Sequence, residues 1–144
     1  MSSDSLLNSF ELSISIDPDD IDELGHVNNV VYVRWMQDVA IAHWRAAATE
    51  AQQDEVAWVA IRHEIDYKSA ALLTDAVVAR TWVGTADAVR FERHTAIVRK
   101  ADGKVLARGR TLWCPIKRKT GRLTRVSDEL RRVFSAPPTE DHVG

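Results

Sequence analysis

Between Val30 and Ala48 the chain is interrupted by polar side chains only at Arg34, Gln37, Asp38, His43 and Arg45. At helical spacing its apolar residues wrap most of the way round, so the helix they predict must be covered on nearly all sides. Arg34, Asp38, His43 and Arg45 lie inside the run, which argues for a buried soluble helix rather than a membrane span. Whatever else this chain folds into, it has to build a wrapper for one long helix.

The flanking segments supply a wrapper, because their apolar period is two. Phe10, Leu12, Ile14 and Ile16 alternate with Glu11, Ser13 and Ser15, as in a half-buried strand. From Val56 onward, Val59, Ile61, His63, Ile65 and Tyr67 share one face opposite Ala60, Arg62, Glu64, Asp66 and Lys68. Ala76 to Gly84 reads as a strand apolar on both faces except at Arg80. Val89 to Lys100 follows, with Phe91, Arg93, Thr95 and Ile97 opposite Arg90, Glu92, His94 and Val98. Asp102-Gly103 is a tight hairpin signal leading to a last strand over Lys104 to Ile116. The helix is predicted to reach about Glu50, with Gln52 to Glu55 as a solvated connection. Ser127 caps a short helix with acids in its first turn and Arg131 and Arg132 in its last. The predicted class is α+β: a strand, a buried helix, four antiparallel strands and a short C-terminal helix, with one curved sheet around the long helix. Exposed sheet edges and an uncovered helix flank predict pairing of two chains.

The 144 residues fit one domain over 1–144, with an ordered core at about 8–135 and a flexible tail at 136–144 carrying Pro137-Pro138. A formal net charge of −2 offers no reason to expect a nucleic-acid partner. Cys114 is the single cysteine, which excludes an internal disulfide framework and makes a reducing, cytoplasmic compartment the expectation. Met1 to Phe10 carry Asp4 and no Lys or Arg, unlike a secretory signal. The histidines, His26, His43, His63, His94 and His142, show no pair at metal-ligand spacing, so no metal is expected. An EF-hand starting at Asp17 fails, with Asp22 where Gly is needed and Asn28 where Glu is needed. Nor is there a Gly-rich phosphate loop.

The chemistry concentrates in Asp20-Ile21-Asp22-Glu23-Leu24-Gly25-His26-Val27-Asn28-Asn29, just before the long helix. Helix N-termini carry unpaired N–H groups and about half a positive charge, which suits an anion or oxyanion. Thioester hydrolysis needs little more than this. A thiol with a pKa of about 8.5 leaves as thiolate without a strong acid, so one base or nucleophile and one oxyanion donor suffice. Asp22 is the candidate carboxylate, although a loop acid of this kind can also be a plain capping residue. His26 is placed to orient Asp22 or touch the acyl carbonyl, or simply to bond the loop backbone. Asn28 and Asn29 are good helix caps, which is compatible with an Asn29 N–H facing a pocket. Tyr32 and Trp35 sit one turn into the helix, where they would be core or pocket wall.

The pattern Asp20-x-Asp22-x-x-Gly25-His26-Val27-Asn28-Asn29-x-x-Tyr32-x-x-Trp35 resembles the hotdog-fold thioesterases, in particular the 4-hydroxybenzoyl-CoA thioesterase-like and acyl-acyl carrier protein thioesterase-like groups. Trp82-Val83-Gly84 and the segment from Asp102-Gly103 through Trp113 look similar too, so the likeness runs from about Phe10 to Phe134. It implies a five-stranded antiparallel sheet around one long central helix, paired into homodimers or homotetramers with interfacial active sites. It also implies acyl-CoA or acyl-carrier-protein substrates and no cofactor. By motif position the catalytic aspartate falls on Asp22 and the main-chain oxyanion donor on Asn29, with His26 and Asn28 also in the site. Tyr32 and Trp35 would line the acyl group, and Arg90 would lie near the nucleotide. The hotdog class with a mid-helix glutamate is disfavoured, since Val33 to Ala48 contains no Glu. A non-catalytic acyl-thioester binder is the alternative, and a hotdog hydratase or dehydratase a weaker one.

Overall fold

In a computed structural model, which describes residues 9–135, β1 (Phe10–Ile14) leads through a 3-10 turn at Pro18–Asp20 into the long helix α1 (Asn29–Ala47). A short helix α2 (Glu50–Glu55) follows, then β2 (Val56–Tyr67), β3 (Val77–Ala86), β4 (Phe91–Arg99), β5 (Val105–Lys117) and α3 (Asp128–Ser135). The five strands form one antiparallel sheet in the order β1-β3-β4-β5-β2. Here the all-round apolar helix finds its cover: Val31, Tyr32, Trp35, Met36, Val39, Ala40, His43 and Trp44 are all buried. Among the described residues no helix is long and apolar enough to cross a membrane. The predicted tail lies outside the described residues.

The core has two lobes along α1. One surrounds Tyr32, Trp35, Met36 and Val39 with Val77, Ile97, Leu106 and Ala107. The other gathers Trp44, Phe91, Trp113, Leu130 and Phe134, so that α3 closes the far end of the sheet. Close approach of α1 to the sheet requires Gly109 on β5: a Cβ there would sit 2.8 Å from Met36 Cε.

Three expectations need correction. Gln52 to Glu55 is helix, not a solvated connection, and α1 ends at Ala47. Thr49 and Gln52 form a capping box that restarts the chain as α2. β1 stops at Ile14 rather than Ile16, because Asp17 caps the 3-10 turn, although Ile16 still packs on the core. In β2 the single apolar face does not exist. The register steps from Ala60↔Trp113 to Arg62↔Leu112, leaving Ile61 as a bulge. The bulge reverses the alternation, so Trp58 and Ala60 pack inward before it and Ile65 after it. Val59 and Ile61 are left 42% and 52% exposed on this edge strand.

Arg93, which shares a face of β4 with Phe91, Thr95 and Ile97, carries a guanidinium into the core at 4% exposure. Its Nη1 donates to His43 Nδ1 at 2.9 Å and to Thr81 Oγ1 at 3.1 Å. Burial, with Arg93 beside it, pulls the His43 pKa down to about 3, and burial pulls Arg93 down to about 9.

Candidate active site

The loop before α1 is built by its own polar side chains. Asp17 and Asp20 form a capping box around the 3-10 turn. Asp20 is buried; Oδ2 accepts the Asp17 N–H at 2.9 Å and Oδ1 accepts Arg34 Nη2 at 2.9 Å. Its carbonyl accepts the Asn28 N–H, tying the turn to the helix start. Ile21 and Val27 then bridge across a tight loop, in which the Asp22 N–H donates to the His26 carbonyl and the Gly25 N–H to the Asp22 carbonyl. Gly25 sits at φ 78°, a backbone state that residues with a Cβ rarely adopt. Val27 is clamped to the Ala71 carbonyl, and the Ala71 N–H donates to Tyr32 Oη.

This loop holds Asp22 half-buried, with Oδ1 accepting N–H groups from Leu24 at 2.9 Å and His26 at 3.2 Å. Oδ2 accepts no hydrogen bond among the described residues. The N-cap is Asn28, whose side chain accepts the Val30 N–H at 3.2 Å. The Val31 N–H goes to the Asn28 carbonyl, while the Asn29 N–H has no acceptor among the described residues. Asp22, His26, Asn28, Asn29 and Tyr32 line one open cleft of about 450 Å³. Asp22 and the first residue of the helix, Asn29, therefore line the same cleft, and a carboxylate beside a helix N-terminus is a pairing suited to attack on a carbonyl and stabilisation of the resulting oxyanion.

Other candidates are placed differently. Trp35 is fully buried in the core edge-on to Tyr32, and it does not line the cleft. Arg90 lies in the β3–β4 turn, paired with Asp87 at 3.1 Å, at the Ala86–Phe91 end of the sheet. The cleft is at the other end, beside Tyr67 of β2, so Arg90 is not part of its own chain's cleft. Glu64 is exposed and paired with Arg110, and Cys114 is buried with its thiol pKa pushed up by desolvation. Among the described residues no group of three or more His, Cys, Asp or Glu is placed to hold a metal.

Sequence reasoning missed the cleft's second wall, formed by Tyr67, Lys68, Ser69 and Ala70. Tyr67 Oη donates to the Asn29 carbonyl at 3.1 Å and its ring meets Tyr32 edge-on. Nothing local in the chain signals this contact, because it joins residues brought together only by the sheet wrapping the helix.

A family model described as the thioesterase-like superfamily matches residues 16–134. The chain belongs to the thioesterase-like superfamily. Among curated relatives, the chloroplastic acyl-acyl-carrier-protein hydrolase FATB2 of Cuphea viscosissima is 26% identical over 121 residues, 74% of this chain and 29% of that protein. The chain thus spans under a third of the length of that relative. A thioesterase from Thermus thermophilus, solved with coenzyme A and Zn, superposes with a TM-score of 0.76 at 21% identity, covering 88% of this chain and 97% of that one. A 1,4-dihydroxy-2-naphthoyl-CoA thioesterase from Synechocystis gives 0.75 at 16% identity, covering 88% and 95%. At these identities the likeness establishes the fold, and this thioesterase-like chain has the hotdog architecture: one long helix wrapped by a five-stranded antiparallel sheet.

Proposed function

We propose that this thioesterase-like chain hydrolyses acyl thioesters of coenzyme A or acyl carrier protein to a free acid and a thiol. The observation that carries the reading is that a loop-held Asp22 and Asn29 line one cleft, with Asp22 Oδ2 and the Asn29 N–H both without a partner among the described residues. The Asn29 N–H and the helix N-terminus polarise the thioester carbonyl and hold the oxyanion. Asp22 either takes a proton from the attacking water or attacks the carbonyl carbon itself. The C–S bond then breaks and the sulfur leaves as thiolate without a general acid; attack by water gives the free acid directly, whereas attack by Asp22 gives an acyl–Asp22 anhydride that water then hydrolyses to the acid and the aspartate. His26, whose ring has no hydrogen bond among the described residues, contacts the acyl carbonyl or Asp22, and Asn28 sets the helix start. Tyr32 backs the cleft, and Trp35 acts from behind by fixing Tyr32.

The chain acts as a homodimer or homotetramer in this reading. Support comes from the bulged β2 edge, which leaves Val59 and Ile61 exposed, and from Leu24 and Val30 exposed beside an open cleft that a second chain can close. In such an assembly Arg90 meets the nucleotide of a substrate held by another subunit. A cytoplasmic setting fits the lone buried cysteine.

A thiol-release screen across aryl, short-chain and long-chain acyl-CoAs, repeated with Asp22→Asn, tests the assignment. Turnover of at least one thioester is expected, with Asp22→Asn lowering it about 10²–10⁴-fold at unchanged thermal stability. Wild-type turnover by that variant, or tight acyl-CoA binding with no thiol released, removes the reading. A single turnover in labelled water separates the two roles, since the label enters the Asp22 carboxyl only if Asp22 attacks directly.

A further inference from the structure

At the end of the sheet away from Asp22, the C-terminal half of α1, the first residues of β2 and α3 enclose a second cavity of about 380 Å³. Its walls are aromatic, from Trp44, Trp58, Phe91, Trp113 and Phe134. Its charge is one-sided: Arg45, Arg93 and Arg118 line it, and no Asp or Glu does.

Arg93 is the deepest of these cations. Its guanidinium carbon lies 4.9 Å from the Phe134 ring centre, and no carboxylate among the described residues is within ion-pair distance of it. Arginine can only donate, so His43 accepts at Nδ1 and is neutral with its proton on Nε2. The cation therefore has polar neighbours but no counter-charge. Arg93 is thus a buried cation without an anion, set in a wall rich in aromatic rings. What it lacks is an oxygen acceptor carrying negative charge.

We propose that this cavity binds an organic carboxylate with an apolar body, an aryl or medium-chain carboxylic acid. Its carboxylate faces Arg93, and its body lies against Phe91 and Trp58. Arg45 and Arg118, both exposed, draw the anion to the mouth. Asn29 and Trp44 are about 22 Å apart along the helix axis, so the site is separate from the Asp22 cleft of the same chain and stands independently of the hydrolysis reading.

Tryptophan fluorescence and calorimetry on the full chain test the proposal, with 3-phenylpropionate and octanoate as probes and the corresponding amides as neutral controls. The acids are expected to quench fluorescence and bind about tenfold or more tighter than the amides. Arg93→Met should erase that preference, and Arg45→Gln combined with Arg118→Gln should weaken acid binding severalfold while leaving amide binding unchanged. Asp22→Asn should leave acid binding intact even if it abolishes turnover, so the two assignments fail separately. Equal affinity for acids and amides overturns the proposal, as does loss of acid binding in Asp22→Asn. If Arg93→Met does not fold, unchanged acid affinity in the Arg45→Gln, Arg118→Gln double variant overturns it.

Discussion

In the proposed hydrolysis Asp22 serves because it is only half satisfied: two N–H groups hold Oδ1, and Oδ2 accepts no hydrogen bond among the described residues. Its neighbour Asp20 has the opposite role, with both oxygens engaged and its carbonyl tied to Asn28. Asp20→Ala is therefore expected to cost about 1–3 kcal/mol in urea denaturation, towards the lower end because Arg34 is half exposed. It should also depress turnover by releasing the loop, and equal stability of the variant would refute the pinning role. His43 makes a pH prediction. Its folded pKa of about 3 lies below the ordinary 6.5, so the fold favours the neutral ring. That stabilisation is complete above pH 6.5 and is lost as pH falls toward 3, by at most about 1.4 kcal/mol per unit. Half-buried His63 is shifted the same way, whereas the lowered carboxylates Glu92, Asp87 and Asp102 lose their contribution only at more acid pH. Denaturation at pH 7 and pH 5 should show a drop of about 2 kcal/mol, reduced in His43→Gln. A pH-independent stability over that window would contradict the assignment.

At the scale of elements, the chain's local signals and its packing agree except where an insertion changes phase. The Thr49–Gln52 capping box is visible in the sequence and explains why α1 stops and α2 restarts. The β2 bulge is not visible, because alternation across Val56 to Tyr67 can be read unbroken; only pairing with β5 shows which residue is extra. Gly109 sets how closely α1 lies on β5. Because Met36 is buried, its side-chain end must repack to admit a Cβ, and Gly109→Ala should destabilise by about 1–3 kcal/mol, measured by thermal or urea unfolding. At Gly84 a Cβ would meet Glu92 Oε2 at 2.7 Å and disturb the His94–Glu92–Arg110 cluster on the sheet's outer face.

The whole molecule places two unlike chambers at the ends of one helix, a polar cleft at its N-terminus and a cationic aromatic cavity near its C-terminus. Association through the β2 edge predicts that Ile61→Lys combined with Val59→Lys shifts the sedimenting species to monomer and lowers turnover, while the fold persists because both side chains already face solvent. Unchanged sedimentation would place the interface elsewhere. The helix, its wrapper and the polar loop before the helix were legible along the chain, since each depends on periods and spacings of neighbouring residues. So was the face that Arg93 shares with Phe91 and Ile97, though not its burial or its lack of a carboxylate partner among the described residues. The second wall of the cleft, the phase reversal in β2, the burial of Trp35 and the distance of Arg90 from Asp22 were settled only by tertiary structure. Each depends on which strand lies beside which, and sheet pairing joins residues far apart in sequence through backbone groups that every residue shares.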